Sequence, residues 1–142
     1  MNWIHWNSVL ATGHVILDTD HQRLADLFNQ LATAVKERKG KEACVDLLDK
    51  IIHHAQAHFA FEEQLMSEQC YPNAEEHAAE HFRLIKQAIR FIAKFQAASP
   101  GSHIPLIHFP EDWLTRHILT ADKELAIFLA ATDRQSPIDL GR

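Results

Sequence analysis

Seven side chains in this sequence combine metal-binding chemistry with helical spacing. His58 and Glu62 are four apart, His77 and His81 are four apart, His117 and Asp122 are five apart, and His21 stands alone upstream. A separation of four puts two side chains on one helix face about a turn apart, where both reach a single ion or a close pair of ions. Five imidazoles and two carboxylates are costly to bury unless something satisfies them, and a metal does so. The mixed nitrogen and oxygen donors suit iron, although manganese and zinc are also compatible with such a set.

These residues have to be carried by helices. A first helix from about Asp20 to Glu37 is marked by Leu17, His21, Leu24, Phe28, Leu31 and Val35, stepping by three and four. Lys39-Gly40 closes it, with basic residues in the last turn and glycine just beyond. The second runs from about Lys41 to Gln69, with Val45, Leu48, Ile52, Ala55, Phe59, Glu62 and Met66 on one side, and Tyr71-Pro72-Asn73 breaks it. The third, about Ala74 to Ala97, turns His77, His81, Leu84, Ile85, Ile92 and Phe95 inward. The fourth, from Glu111 to Ala131, has Trp113, Leu114, His117, Ile118, Ala121, Leu125 and Phe128 as its stripe. Short connections between the first three helices predict an all-α, up-down-up-down four-helix bundle with a metal site in its core. Residues 102–110 read equally as an irregular arm or as a kinked start of the last helix.

Height along the bundle agrees. Taking residue 40 as the first turn, His21 lies 19 residues before it and residue 60 lies 20 after it. At about 1.5 Å per residue both are roughly 28 Å from the turn, so they are level. The break near Pro72 brings residues 58–62 and 77–81 toward the same end. The fourth helix fits less well, because five residues is about 140° past a full turn of an ideal α-helix. Either Asp122 reaches round or the helix is locally widened by a π-bulge. On spacing alone Glu124 competes with Asp122, and His54, one turn below His58, is a second rival.

Composition bounds the rest. The chain of 142 residues is the size of one domain, with 46% hydrophobic and 23% charged residues and little glycine or proline. A helical core of about 20–131, an N-terminal arm of 1–18 and a loose tail of 132–142 are expected. The net charge of -5 and the lack of a basic cluster argue against a nucleic-acid partner. No apolar run approaches the roughly 20 residues of a membrane span, and the N-terminus lacks a secretory pattern. Cys44 and Cys70 form no Cys-x-x-Cys pair and read as inert, reduced thiols in a cytoplasmic protein. Histidine is heavily over-represented, with 11 in the chain. Outside the seven, His5, His14, His53, His54, His103 and His108 read as surface or satisfied histidines. A lone His21 would be read the same way; its membership in the set raises it.

The ordered motifs resemble the hemerythrin family, and its bacterial single-domain branch in particular. They are Leu17-Asp18-Thr19-Asp20-His21, His58-Phe59-Ala60-Phe61-Glu62-Glu63, His77-Ala78-Ala79-Glu80-His81, and the run from Trp113 to Asp122 that carries His117. The resemblance implies a single hemerythrin-like domain holding two iron ions and binding O2 reversibly. It assigns His77, His81 and His117 to one iron and His21 and His58 to the other. Glu62, Asp122 and a solvent-derived oxo or hydroxo group would bridge them. One iron is then filled and the other keeps an open position for O2 or another small ligand such as NO. Two departures stand out: Cys70 replaces a frequent glycine before Tyr71-Pro72, and the 99–110 connection is rich in proline.

The function expected is O2 storage, transport or buffering without enzymatic activity. Trp113, Leu114 and Ile118 are mainly core packing and are also expected to line a dry ligand pocket. The alternatives are a di-iron enzyme, such as an oxidase, a peroxidase or a nitric-oxide-handling protein, and a sensing partner. Oxygen-activating bundles resemble a carboxylate-rich Glu-x-x-His pattern, whereas imidazole dominates here. Ligand histidines must be neutral, so acid is expected to release the metal.

Overall fold

The computed structural model describes residues 4–97 and 111–135. Among these there is no strand, and four helices form the bundle: α1 Val15–Lys36, α2 Lys41–Glu68, α3 Ala74–Ala97 and α4, residues 111–135. The predicted all-α architecture is what the chain adopts. Residues 102–110 and 136–142 lie outside the described residues.

α1 begins five residues before the expected Asp20, because its cap is an unusual one. His14 Nδ1 accepts the Leu17 N–H at 3.3 Å, and histidine is not among the residues that ordinarily signal an N-cap. Asp18 ties the preceding chain to the first turn, accepting from the Thr12 N–H and hydroxyl, both at 2.8 Å, and from the Gly13 N–H at 3.1 Å.

The two helix-to-helix turns among the described residues, after α1 and after α2, close with the same motif. Lys39 N–H reaches Ala34 C=O at 3.0 Å and Arg38 N–H reaches Val35 C=O at 3.2 Å, with Arg38 left-handed at φ 53. At the end of α2, Tyr71 N–H reaches Met66 C=O at 2.9 Å and Cys70 N–H reaches Ser67 C=O at 3.3 Å, with Cys70 at φ 53. These are Schellman closures, whose left-handed position favours glycine. Gly40 therefore does not end α1 as expected. It opens α2 as the N-cap at φ 98, ψ 165, a conformation suited to glycine.

The inward stripes are as expected with local exceptions. Val35 faces outward at 40% exposure while Ala34 turns in, and Cys44 rather than Val45 fills the start of α2's buried face. Ala88, Ala126 and Leu129 are buried positions that the stripes passed over, whereas Ile85, Phe95 and Phe128 are only half-buried.

α4 departs furthest from an ideal helix. Two of its segments, Glu111–Thr115 and Ile118–Asp122, are π-helical, and the α-helix Lys123–Gln135 continues past the expected end at Ala131. The Lys123 N–H bonds to the Ile118 carbonyl, five residues back. Contacts between α4 and α3 run antiparallel: Glu124 with Asn73, His117 with Glu80, and the Trp113 indole N–H with Leu84 C=O at 2.7 Å.

The core has two apolar blocks with the polar layer between them. The larger gathers Leu24, Phe28, Leu31, Leu48, Ile51, Ala55, Leu84, Ile92, Trp113 and Ile118, and the smaller gathers Leu17, Met66, Tyr71, Leu125 and Leu129. The N-terminal segment closes over the larger block. Ile4 and Leu10 are buried in it, and the Asn29 side chain accepts from Ile4 N–H at 2.9 Å and donates to Ile4 C=O at 2.8 Å.

Candidate metal centre

All seven expected residues converge in that polar layer, and all are buried. They form two overlapping groups, Glu62, His77, His81, His117 and Asp122 on one side, and His21, His58, Glu62 and Asp122 on the other. Within each group the donor atoms lie within 4.8 Å of one another.

The two carboxylates belong to both groups and divide their oxygens between them. Glu62 Oε2 lies 2.9 Å from His58 Nε2, while Oε1 lies 3.0 Å from His81 Nε2 and 3.3 Å from His77 Nε2. Asp122 Oδ2 lies 2.8 Å from His21 Nε2, while Oδ1 lies 3.1 Å from both His77 Nε2 and His117 Nε2. His21 and His58 point their Nε2 atoms at each other across 3.2 Å. The π turn is what turns Asp122 onto the face of His117, because an i→i+5 turn returns the chain to the same side after five residues.

The group is built to be completed by cations. Nine buried nitrogen and oxygen atoms of His21, Glu62, His77, His81, His117 and Asp122 have no hydrogen-bond partner, and all but the outer Nδ1 atoms of His21 and His117 face the centre. At roughly 1–3 kcal/mol for each buried group left unsatisfied, the inward-facing atoms alone would rival the whole stability of an ordinary domain, about 5–15 kcal/mol. Metal ions held among these inward-facing atoms would remove that cost, so the donors fit a two-metal site.

Comparison with known proteins points the same way. The family described as Hemerythrin HHE cation binding domain matches residues 12–128. The chain belongs to the hemerythrin family. Among curated relatives, the bacteriohemerythrin of Stenotrophomonas maltophilia is 31% identical over 121 residues, covering 85% of this chain and 78% of the relative. That of Pseudomonas aeruginosa is 29% identical over 119 residues, covering 82% and 75%. That of Clostridium acetobutylicum is 27% identical over 127 residues, covering 84% and 95%.

The rivals left open by spacing fall outside the centre. His54 Nε2 sits 3.4 Å from the Asp20 carbonyl, and Glu124 is engaged by the Asn73 amide at 2.6 Å and the Tyr71 hydroxyl at 3.3 Å. Three acidic residues that sequence reasoning gave no role back the imidazoles from outside. Asp20 lies 2.7 Å from His58 Nδ1, Glu63 lies 2.9 Å from His81 Nδ1, and Glu80 lies 3.3 Å from His117 Nδ1. Such partners fix the ring orientation and tautomer of a metal-ligating histidine. The available signal was adjacency, since each stands next to one of the seven or, for Asp20, directly before His21.

The electrostatics of the metal-free centre follow from the same contacts. Burial would lower His77 and His117, but Asp122 and Glu62 outweigh it and push them up to about 9 and about 10. His58 moves up for the same reason, through Glu62 and Asp20 against its burial. Burial would raise both carboxylates, yet the facing imidazoles hold Glu62 and Asp122 well below the usual range. Beside the centre, Phe59 stacks on His81 with ring centroids 3.9 Å apart. Trp113, Leu114 and Ile118 are buried in the larger apolar block on α4.

Proposed function

We propose that this chain holds two iron ions and binds O2 reversibly at one of them, for storage, transport or buffering. His77, His81 and His117 hold one ion, His21 and His58 hold the other, and Glu62 and Asp122 are shared. The observation that carries the reading is this inequality. One group offers three imidazoles and the other two, around the same pair of carboxylates. One ion is left with a protein ligand fewer, and so with room for a small molecule.

Ferrous ions bound there supply the electrons and the vacant position that reversible O2 binding needs. The protein's part is to keep the site dry and the donors oriented. Trp113, Leu114 and Ile118 line the ligand side and exclude water, whose protons would promote oxidation of ferrous iron by O2. Asp20, Glu63 and Glu80 keep the rings of His58, His81 and His117 turned inward. The relatives' name, bacteriohemerythrin, is in keeping with this assignment. No helix among the described residues is long and apolar enough to cross a membrane, and Cys44 and Cys70 are unpaired, as in a reducing compartment such as the cytoplasm. The imidazole-rich donor set favours a carrier over an oxidase, because few anionic ligands leave high-valent iron poorly stabilised.

The test is metal content together with the visible spectrum of the anaerobically reduced protein, cycled between argon and air. Two irons per chain and a charge-transfer band that appears in air and bleaches under argon are expected. A band that forms and does not reverse would favour the enzyme, and no stoichiometric metal would overturn the reading.

A further inference from the structure

A polar cleft of about 240 Å³ opens between α3 and α4. Glu76, Glu80 and Arg83 line it from α3, Thr120 and Glu124 from α4, and His77 forms part of its wall. His77 is only 4% exposed and its Nε2 has no hydrogen-bond partner, lying instead 3.3 Å from Glu62 and 3.1 Å from Asp122. The cleft therefore ends one imidazole away from both shared carboxylates. Glu80 touches a second ring of the centre, His117, at 3.3 Å. Glu124 is pinned at the cleft by Asn73 and Tyr71.

A divalent cation and an O2 molecule cannot use the same way in. A dry apolar wall admits a neutral diatomic molecule, whereas an ion crossing it would lose its water with nothing in return. A hydrated divalent cation sheds water stepwise where protein donors, carboxylate oxygens among them, replace it. The cleft offers three carboxylates against one guanidinium and reaches the centre at His77, whereas Trp113, Leu114 and Ile118 belong to the larger apolar block and do not line it. We propose that this cleft is the loading port of the metal centre, in which Glu76 and Glu124 collect a hydrated divalent cation and Glu80 passes it to His77. The inference rests on the metal-binding reading above and adds a route to it. In each step a protein donor replaces a water on the ion, a carboxylate oxygen at Glu76, Glu124 and Glu80 and an imidazole nitrogen at His77, whose displaced proton goes to solvent, with no change of oxidation state.

The test compares three full-length chains: the wild type, a Glu76→Gln/Glu124→Gln pair, and a Glu42→Gln/Asp46→Asn pair. The last makes the same charge change on the exposed face of α2's first turns. Metal-depleted protein is mixed anaerobically with ferrous ion and bound iron is followed with time. The cleft pair should load at least about fivefold more slowly at low ionic strength, a gap that narrows with salt, while the control pair stays within about twofold of wild type. Final iron per chain should be equal in all three. A port changes rates and not affinity, so release from the loaded protein to a chelator should slow by the same factor. That second readout does not require the metal-depleted chain to stay folded. Equal rates for the cleft and control pairs, in loading and in release, would overturn the port. Failure of the wild type to bind iron at all would overturn the metal centre itself.

Discussion

At the scale of single residues, what distinguishes the centre is how its donors are held. A buried imidazole can present either nitrogen, and the outer carboxylate decides which. Asp20 lies 2.7 Å from His58 Nδ1, leaving Nε2 to face the centre. Asp20→Asn keeps an acceptor but removes the charge, and should weaken metal retention by about 10–100-fold in chelator competition. The pH dependence of the metal-free chain belongs to this scale as well. His77 and His117 are raised to about 9 and about 10 by Asp122 and Glu62, which outweigh their burial. The folded chain thus holds these protons more tightly than the unfolded chain, whose imidazoles titrate near 6.5. Their contribution to stability is complete below about pH 6.5, declines above it and is gone above about pH 10. The melting temperature of metal-free protein should fall between pH 7 and pH 10, as followed by circular dichroism. Loaded protein should show the opposite weakness, releasing metal in acid as the imidazoles are reclaimed by protons.

At the scale of elements, α4 carries the decisive irregularity. The π turn Ile118–Asp122 is one residue longer than the α-helical turn it replaces, and it is this residue that brings Asp122 onto the face of His117. Leu119 lies on the outside of that turn, 39% exposed. Deleting Leu119 leaves histidine and aspartate four apart, which an ordinary α-helix also places on one face. The deletion should therefore retain metal, whereas inserting an alanine at the same place should abolish it; metal analysis of the two purified variants distinguishes these outcomes. The turns offer a second test. Cys70 is exposed and left-handed at φ 53 where the Schellman closure favours glycine. Relief of left-handed strain is offset in part by the entropy of glycine, so Cys70→Gly should raise stability by up to about 1 kcal/mol in denaturant titration.

Among the described residues a polar layer is clamped between two apolar blocks, so the burial of the seven donors comes from the core itself. Leu114 shows the coupling, being 2% exposed within the larger block and one turn from His117. Leu114→Ala should cost about 2–5 kcal/mol through the cavity it leaves. By admitting water to the ligand side it should also speed autoxidation of the oxygenated protein. Loss of stability with an unchanged autoxidation rate would leave Leu114 a core residue only.

Much of this was legible in one dimension. Helical period follows from backbone geometry, and donor chemistry follows from residue type, so the four stripes, the bundle and the seven candidates could be read without coordinates. The start of α1 was misplaced because its cap is a histidine, and the turn glycine was misassigned because Arg38 accepts the left-handed position instead. Spacing could not choose between Asp122 and Glu124, or between His58 and His54. Those choices depend on how far each helix is rotated about its axis and on which neighbour meets it, and both are set by packing between elements distant in sequence. The same holds for Asp20, Glu63 and Glu80, which look like ordinary surface acids until the packed bundle brings each against an imidazole of the next helix. The division of two carboxylates between two sets of nitrogens is likewise a property of the packed bundle, because no local rule brings donor atoms from three helices within 4.8 Å of one another in each group.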